Sequence, residues 1–178
     1  MSLWCVVPAA GKGLRVGGTI PKQYLPLNGR TVMQCTLDRL CRLATEAVIV
    51  PIAADDTQAN TLDYRDSALI RFVEGGDTRA ASVLAGLNAI ANQAADEDWV
   101  LVHDAARCLI TPEQIKTLIA ACQEDEVGGL LALPLPDTLK HEESGRVAQT
   151  LDRSDKWLAQ TPQMFRLGAL IDALESAK

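Results

Sequence analysis

Short apolar runs alternate along this chain with stretches whose apolar residues recur every three or four positions. Trp4–Pro8, Ala47–Ile52, Trp99–Val102 and Gly129–Leu135 are dense in apolar and β-branched residues and of strand length. Such runs suit strands covered on both faces. Ile70–Val73 is a weaker run that leads into Glu74-Gly75-Gly76-Asp77. Between the runs lie helical periods. Thr31–Leu43 sets Met33, Leu37, Leu40 and the following Ala44 on one face, and Arg79–Ala94 does the same with Val83, Leu84, Leu87, Ile90 and Ala91. Thr111-Pro112-Glu113-Gln114 reads as a helix start: a capping threonine, a proline at the first helical position and a glutamine three residues after the cap. Ile115, Leu118, Ile119 and Cys122 then mark that helix's buried face, and a last helix starts near Gly168.

This alternation predicts an α/β domain with right-handed crossovers, a mostly parallel sheet and helices on both faces. Ligands of such sheets bind beyond the carboxyl ends of the strands. The turns at Gly11–Gly13, Gly75-Gly76 and His103-Asp104 each follow a strand and are therefore expected to meet at one edge. One segment breaks the pattern. Asp137–Leu139 and Val147–Arg153 read as extended stretches around a polar Glu142-Glu143-Ser144-Gly145 turn, a hairpin arm spanning 137–153. A lone two-stranded hairpin is marginal in water. The arm is expected either to fold back on its own domain or to pack on a second subunit.

At 178 residues the chain suits one domain, 1–178, and its 48% hydrophobic and 22% charged residues are an ordinary soluble balance. The net charge of −6 argues against a nucleic-acid partner but leaves room for a polyphosphate ligand, for which a few local cations suffice. No apolar run approaches membrane-spanning length, and Met1-Ser2-Leu3 does not begin a signal peptide. Five cysteines without a C-x-x-C pair fit reduced thiols in a cytoplasmic protein, and with only two histidines beside them a structural zinc site is not expected.

The candidate chemistry begins where the first strand runs into Pro8-Ala9-Ala10-Gly11-Lys12-Gly13-Leu14-Arg15, with Lys22 seven residues on. Backbone without bulky side chains lets a base or phosphate approach, exposed N–H groups bind anions, and Arg15 and Lys22 add charge. The loop is neither a dinucleotide fingerprint, because Val16 stands where the third small residue belongs, nor a P-loop. It reads as a nucleotide triphosphate site or as a tight strand-to-helix turn; the convergence of the three turns favours the former.

Seven motifs then fall in order: Pro8-Ala9-Ala10-Gly11-x-Gly13-x-Arg15, Pro21-Lys22-Gln23-Tyr24, Gly75-Gly76-Asp77-x-Arg79-x-x-Ser82-Val83, His103-Asp104-Ala105-Ala106-Arg107, Asp137-Thr138, Asp152-Arg153 and Gln160-Thr161-Pro162-Gln163. Together they closely resemble the 2-C-methyl-D-erythritol 4-phosphate cytidylyltransferases of the non-mevalonate isoprenoid pathway. The resemblance implies a Rossmann-like nucleotidyltransferase fold with a hairpin arm exchanged in a homodimer. It implies transfer of CMP from CTP to methylerythritol phosphate with release of pyrophosphate. Arg15, Lys22 and Arg153 would be catalytic. Ala9, Ala10, Gly11, Gly13, Gly76, Asp77, Ser82 and Asp104 would hold CTP, although Asp77 or Ser82 could instead cap the helix beginning near Arg79. Arg107, Thr138 and Thr161 would hold the acceptor, Thr138 arriving from the partner's arm and Arg153 lying beside the acceptor phosphate. Mg²⁺ would be kept mainly by the CTP phosphates, with Asp104 near it.

Two departures stand against that pattern. Cys108 occupies the place where the family usually has proline, and the chain ends at Lys178, before a strand and a phosphate-holding lysine expected of the family. The alternatives are a ribitol 5-phosphate cytidylyltransferase, against which Ala105-Ala106 leans, and a truncated CTP-binding fragment without turnover.

Overall fold

A computed structural model describes residues 2–11 and 20–177. The densest apolar runs form the middle of its sheet. β1 (Leu3–Val6), β4 (Val48–Ile52) and β6 (Trp99–Val102) are buried at every residue. β1 pairs in parallel with β4 on one side and β6 on the other, and β5 (Ile70–Glu74) adds in parallel to β4. Two further strands extend the other edge: β10 (Trp157–Arg166) lies antiparallel to β6 and to β7 (Gly128–Pro134). The sheet order is β5-β4-β1-β6-β10-β7. Five of its six strands thus point one way, and only β10 is reversed.

Side chains alternate across a strand, and each face of the sheet finds its helices. Cys5, Val48, Val50 and Leu101 pack with Met33, Leu37 and Leu40 of α1 (Val32–Leu40) and with Ile115 and Leu118 of α3 (Pro112–Cys122). Val6, Ile49, Val100 and Val102 pack on the opposite face with Val83 and Leu87 of α2 (Arg79–Asn88) and Leu167 of α4 (Leu167–Ser176). Each such buried aliphatic side chain is worth about 1.5–3 kcal/mol. Both α1 and α3 open with reciprocal capping boxes, Thr31 with Gln34 and Thr111 with Gln114. The second is the one expected from its sequence.

The structure differs from the pattern reading in three respects. α1 and α2 stop at Leu40 and Asn88, short of the periodic stretches, although Ile90 beyond α2 remains fully buried. A small antiparallel pair, β2 (Pro26–Leu27) and β3 (Arg30–Thr31), turns at Asn28-Gly29 with φ of 50° and 77°. Asn-Gly suits such a turn because both central residues need positive φ. β10 had no strand-like pattern, because its register shifts between Ala159 and Gln163 and Gln160-Thr161-Pro162 occupies the irregularity.

The arm is present as a hairpin, β8 (Leu139–Glu143) with β9 (Arg146–Leu151), turning at Ser144-Gly145 with φ of 52° and 77°. Its strands pair only with each other among the described residues, and nearly every residue is exposed. It does not fold back on the sheet. Val147, Leu133, Trp157 and Leu158 add exposed apolar surface on the arm and the nearby β7–β10 ribbon.

Candidate active site

The chain leaves β1 toward β4 and β5, then crosses back to place β6 on β1's other side. This reversal opens a crevice at the strands' carboxyl ends. A cleft of about 270 Å³ lies there. The turn after β1 contributes Pro8–Gly11, the turn after β5 contributes Gly76–Arg79, and the turn after β6 contributes Asp104–Ala106. Lys22, Gln23 and Ser82 complete the wall.

The first turn is held by its neighbours in the fold. Ala9 N–H donates to Pro51 C=O at 2.7 Å, while the buried Gln23 donates from Nε2 to the carbonyls of Ala9 (2.8 Å) and Gly11 (3.3 Å). Tyr24, next to Gln23, donates its hydroxyl to Asp56. Burial of that phenol, together with the carboxylate beside it, pushes its pKa well above the ordinary value. Gly13 and Arg15 lie outside the described residues.

The second turn needs glycine for space. A Cβ on Gly76 would stand 2.5 Å from Ala81 Cβ, and one on Gly75 would stand 2.9 Å from Ala10 Cβ. Ser82 Oγ accepts from Gly76 N–H at 3.1 Å and donates to Gly76 C=O at 3.0 Å, so one hydroxyl closes the turn on itself. The helix cap is Thr78, which accepts from Ala81 N–H at 3.1 Å. Neither Ser82 nor Asp77 serves that purpose; Asp77 is exposed on the cleft wall.

The third turn carries the charge. Asp104 accepts from Arg79 Nε at 2.9 Å through one carboxylate oxygen and from Arg107 Nε at 3.0 Å through the other. Burial opposes ionisation of Asp104, but the two guanidinium groups outweigh it and hold the carboxyl below its ordinary range. Arg107 also donates to Gln160 Oε1 at 2.5 Å. Beneath them, the fully buried His103 has Nε2 at 3.0 Å from Arg107 C=O and Nδ1 at 3.1 Å from Thr161 Oγ. A carbonyl only accepts, so Nε2 carries the proton and Nδ1 accepts from the Thr161 hydroxyl. Thr161 Oγ in turn accepts from Asp104 N–H at 3.2 Å. Burial holds the His103 imidazole neutral by lowering its pKa. α1 supports the same turn from the side, with Thr36 Oγ donating to Ala105 C=O at 2.8 Å and Arg39 donating to Cys108 C=O.

The structure therefore gathers Ala9, Ala10, Gly11, Lys22, Gly76, Asp77, Ser82 and Asp104 around one cleft. Arg107 and Thr161 line a neighbouring cavity of about 480 Å³, which meets the first at Ala106. The Thr161 hydroxyl is committed to His103 and Asp104, so it can grip an acceptor directly only by leaving that relay. Thr138 and Arg153 line neither cavity. The Arg153 guanidinium donates to Leu135 C=O (3.3 Å) and to Pro136 C=O at the base of the arm. Among the described residues no three His, Cys, Asp or Glu side chains are grouped to hold a metal. The side chains that pattern reading passed over are Gln23, Thr78, Arg79 and Gln160. Gln23, Arg79 and Gln160 stand inside recognised motifs, but only the fold shows what each touches.

A family model for 2-C-methyl-D-erythritol 4-phosphate cytidylyltransferase (IspD) matches residues 3–178. The enzyme of that name from Ectopseudomonas mendocina is 50% identical over 98% of this chain and 75% of its own length. A bifunctional IspD/IspF enzyme from Albidiferax ferrireducens is 56% identical over 98% of this chain, which spans only 42% of that protein. Among solved structures, the Francisella tularensis 2-C-methyl-D-erythritol 4-phosphate cytidylyltransferase superposes with a TM-score of 0.84 at 35% identity, covering 99% of this chain and 78% of that one. With its strand-end cleft, its three small-residue turns and this likeness along nearly its whole length, the chain belongs to the 2-C-methyl-D-erythritol 4-phosphate cytidylyltransferase family.

Proposed function

We propose that this chain transfers CMP from CTP to 2-C-methyl-D-erythritol 4-phosphate. An oxygen of the acceptor phosphate bonds to the α-phosphorus of CTP, the bond from that phosphorus to the β-phosphate's bridging oxygen breaks, and pyrophosphate leaves. The observation that carries this reading is the convergence of the Pro8–Gly11, Gly76–Arg79 and Asp104–Ala106 turns on one cleft beside Lys22. Main-chain groups at Ala9, Ala10, Gly11 and Gly76, with Asp77 beside them and Ser82 holding Gly76, suit a flat base that reads backbone donors and acceptors. Gly13 belongs to the same sequence motif. The nucleophile is already anionic at neutral pH, so the reaction needs alignment and charge stabilisation more than a base. Lys22 and Arg15 supply that charge at the triphosphate.

Asp104 lines this cleft and is the carboxylate that would lie near the ribose and a phosphate-bound metal. Mg²⁺ is mostly held by waters, one or two carboxylates and substrate phosphates, and Asp104 with the triphosphate fits that donor set. When bound, the ion neutralises phosphate charge. Arg107 and Thr161 line the adjoining acceptor cavity. The exposed arm and the apolar surface near its base suit a homodimer, in which Thr138 reaches the partner's acceptor site and Arg153 lies beside the acceptor phosphate. Reduced thiols fit a cytoplasmic enzyme; among the described residues, no helix is long and apolar enough to cross a membrane.

The test is pyrophosphate release from CTP with methylerythritol phosphate or ribitol 5-phosphate as acceptor. Release is expected with the first and poorly with the second, and Lys22→Ala is expected to lower kcat by roughly two to three orders of magnitude. Equal rates with both acceptors would overturn the substrate reading. An unchanged kcat with only a raised KM for CTP would remove Lys22 from the chemical step.

A further inference from the structure

We infer that Gln23 is a positioning residue: its side-chain amide pins the glycine turn so that backbone N–H, rather than C=O, faces the triphosphate. Gln23 is 4% exposed, and its Nε2 donates to two carbonyls of that turn, Ala9 at 2.8 Å and Gly11 at 3.3 Å. Two acceptors on one nitrogen fix the amide's orientation, because its oxygen would be repelled by both. In a trans peptide the C=O and the following N–H point in opposite directions. Pinning Ala9 C=O back onto Gln23 therefore turns Ala10 N–H to the other side, and Ala10 lines the cleft. Without the clamp, rotation of that small-residue peptide would bring a carbonyl oxygen toward the anionic ligand.

Gln23 also sits on a firm base. It lies in the short 3₁₀ turn Lys22–Tyr24, closed by Tyr24 N–H to Pro21 C=O at 2.8 Å and tied to Asp56 by the Tyr24 hydroxyl. Its neighbour Lys22 lines the same cleft. One residue thus sets the distance between the glycine turn and the Lys22 charge.

The inference rests on the CTP reading above, so CTP binding with Mg²⁺ is measured first on the unaltered chain by calorimetry. No CTP binding there would refute that reading rather than the clamp. Gln23→Met keeps the length of the side chain and removes both donors. It is expected to weaken CTP binding about 10- to 100-fold, as for lost hydrogen bonds to buried partners, and to leave the KM for the acceptor within a few-fold. Gln23→Glu supplies a second reading. As a carboxylate it offers no donor to the two carbonyls, but protonated it donates once. The charged residues that line the cleft with it are Lys22, Asp77, Arg79 and Asp104. The ratio of its CTP affinity to that of the unaltered chain should rise as pH falls, whereas Gln23→Met should show no such trend. Thermal melts of each variant accompany both. CTP affinity within twofold of the unaltered chain in Gln23→Met, a pH-independent ratio in Gln23→Glu, or a loss shared equally by CTP and acceptor that tracks the melting temperature would each overturn the assignment.

Discussion

Replacing Thr161 with valine tests the buried relay most directly. Valine nearly preserves volume and removes only the hydroxyl, which now donates to His103 Nδ1 at 3.1 Å and accepts from Asp104 N–H at 3.2 Å. Both partners lose their bond beneath the surface, and each orphaned group costs about 1–3 kcal/mol. Some relaxation of the turn reduces the sum, so the expected loss of stability is about 2–4 kcal/mol. For a domain of this size that corresponds to a melting temperature lower by about 5–12 °C. The measurement is urea unfolding with an unchanged slope, supported by thermal melts. Thr161→Ser is the control: it keeps the hydroxyl and loses one methyl group, at a cost of about 1 kcal/mol. The expected order is threonine, then serine, then valine, whereas apolar burial alone would put valine first. The valine variant should also lose activity, because Asp104 and Arg107 stand on the turn that the relay holds. A valine variant as stable as the serine variant would refute the reasoning.

Two further outcomes follow from the same geometry. His103 is kept neutral by burial, its pKa lowered from 6.5, so below that pH the unfolded chain takes up a proton that the native state refuses; stability is complete above 6.5 and falls as pH drops below it, and His103→Gln should flatten that acid slope relative to the parent, whereas parallel slopes would refute it. If the arm packs on a second copy, the chain should sediment as a dimer and the doubly substituted Val147→Asp, Trp157→Asp chain as a monomer; a monomeric parent across the assay concentrations would refute the exchange.

Much of the fold was legible in local pattern. Buried strands such as Trp99–Val102 need apolar residues at every position, and α3 announces its own start through Thr111, Pro112 and Gln114, because capping is satisfied within one turn of chain. The glycine turns were equally readable, since close backbone approach tolerates few residue types; a Cβ on Gly76 has nowhere to go. The Ser144-Gly145 hairpin was visible for the same local reason.

What the tertiary structure alone decided are the pairings between residues far apart in sequence. Nothing local to β10 reveals it, because its irregularity at Gln160–Pro162 is shaped by β6 and β7 on either side. The sequence left Ser82 between a CTP contact and a helix cap and gave Gln23 no role within its motif; the fold joins the Ser82 hydroxyl to Gly76 and Gln23 to Ala9. Arg79, Asp104, Arg107 and Thr161 come from three separate elements, and their charges and hydroxyls acquire roles only when the parallel crossovers and the antiparallel β10 bring them to one edge. Sequence determines what a segment buries and where it turns, because those energies are local. Which donor meets which acceptor across the sheet depends on distances that only the packed chain sets.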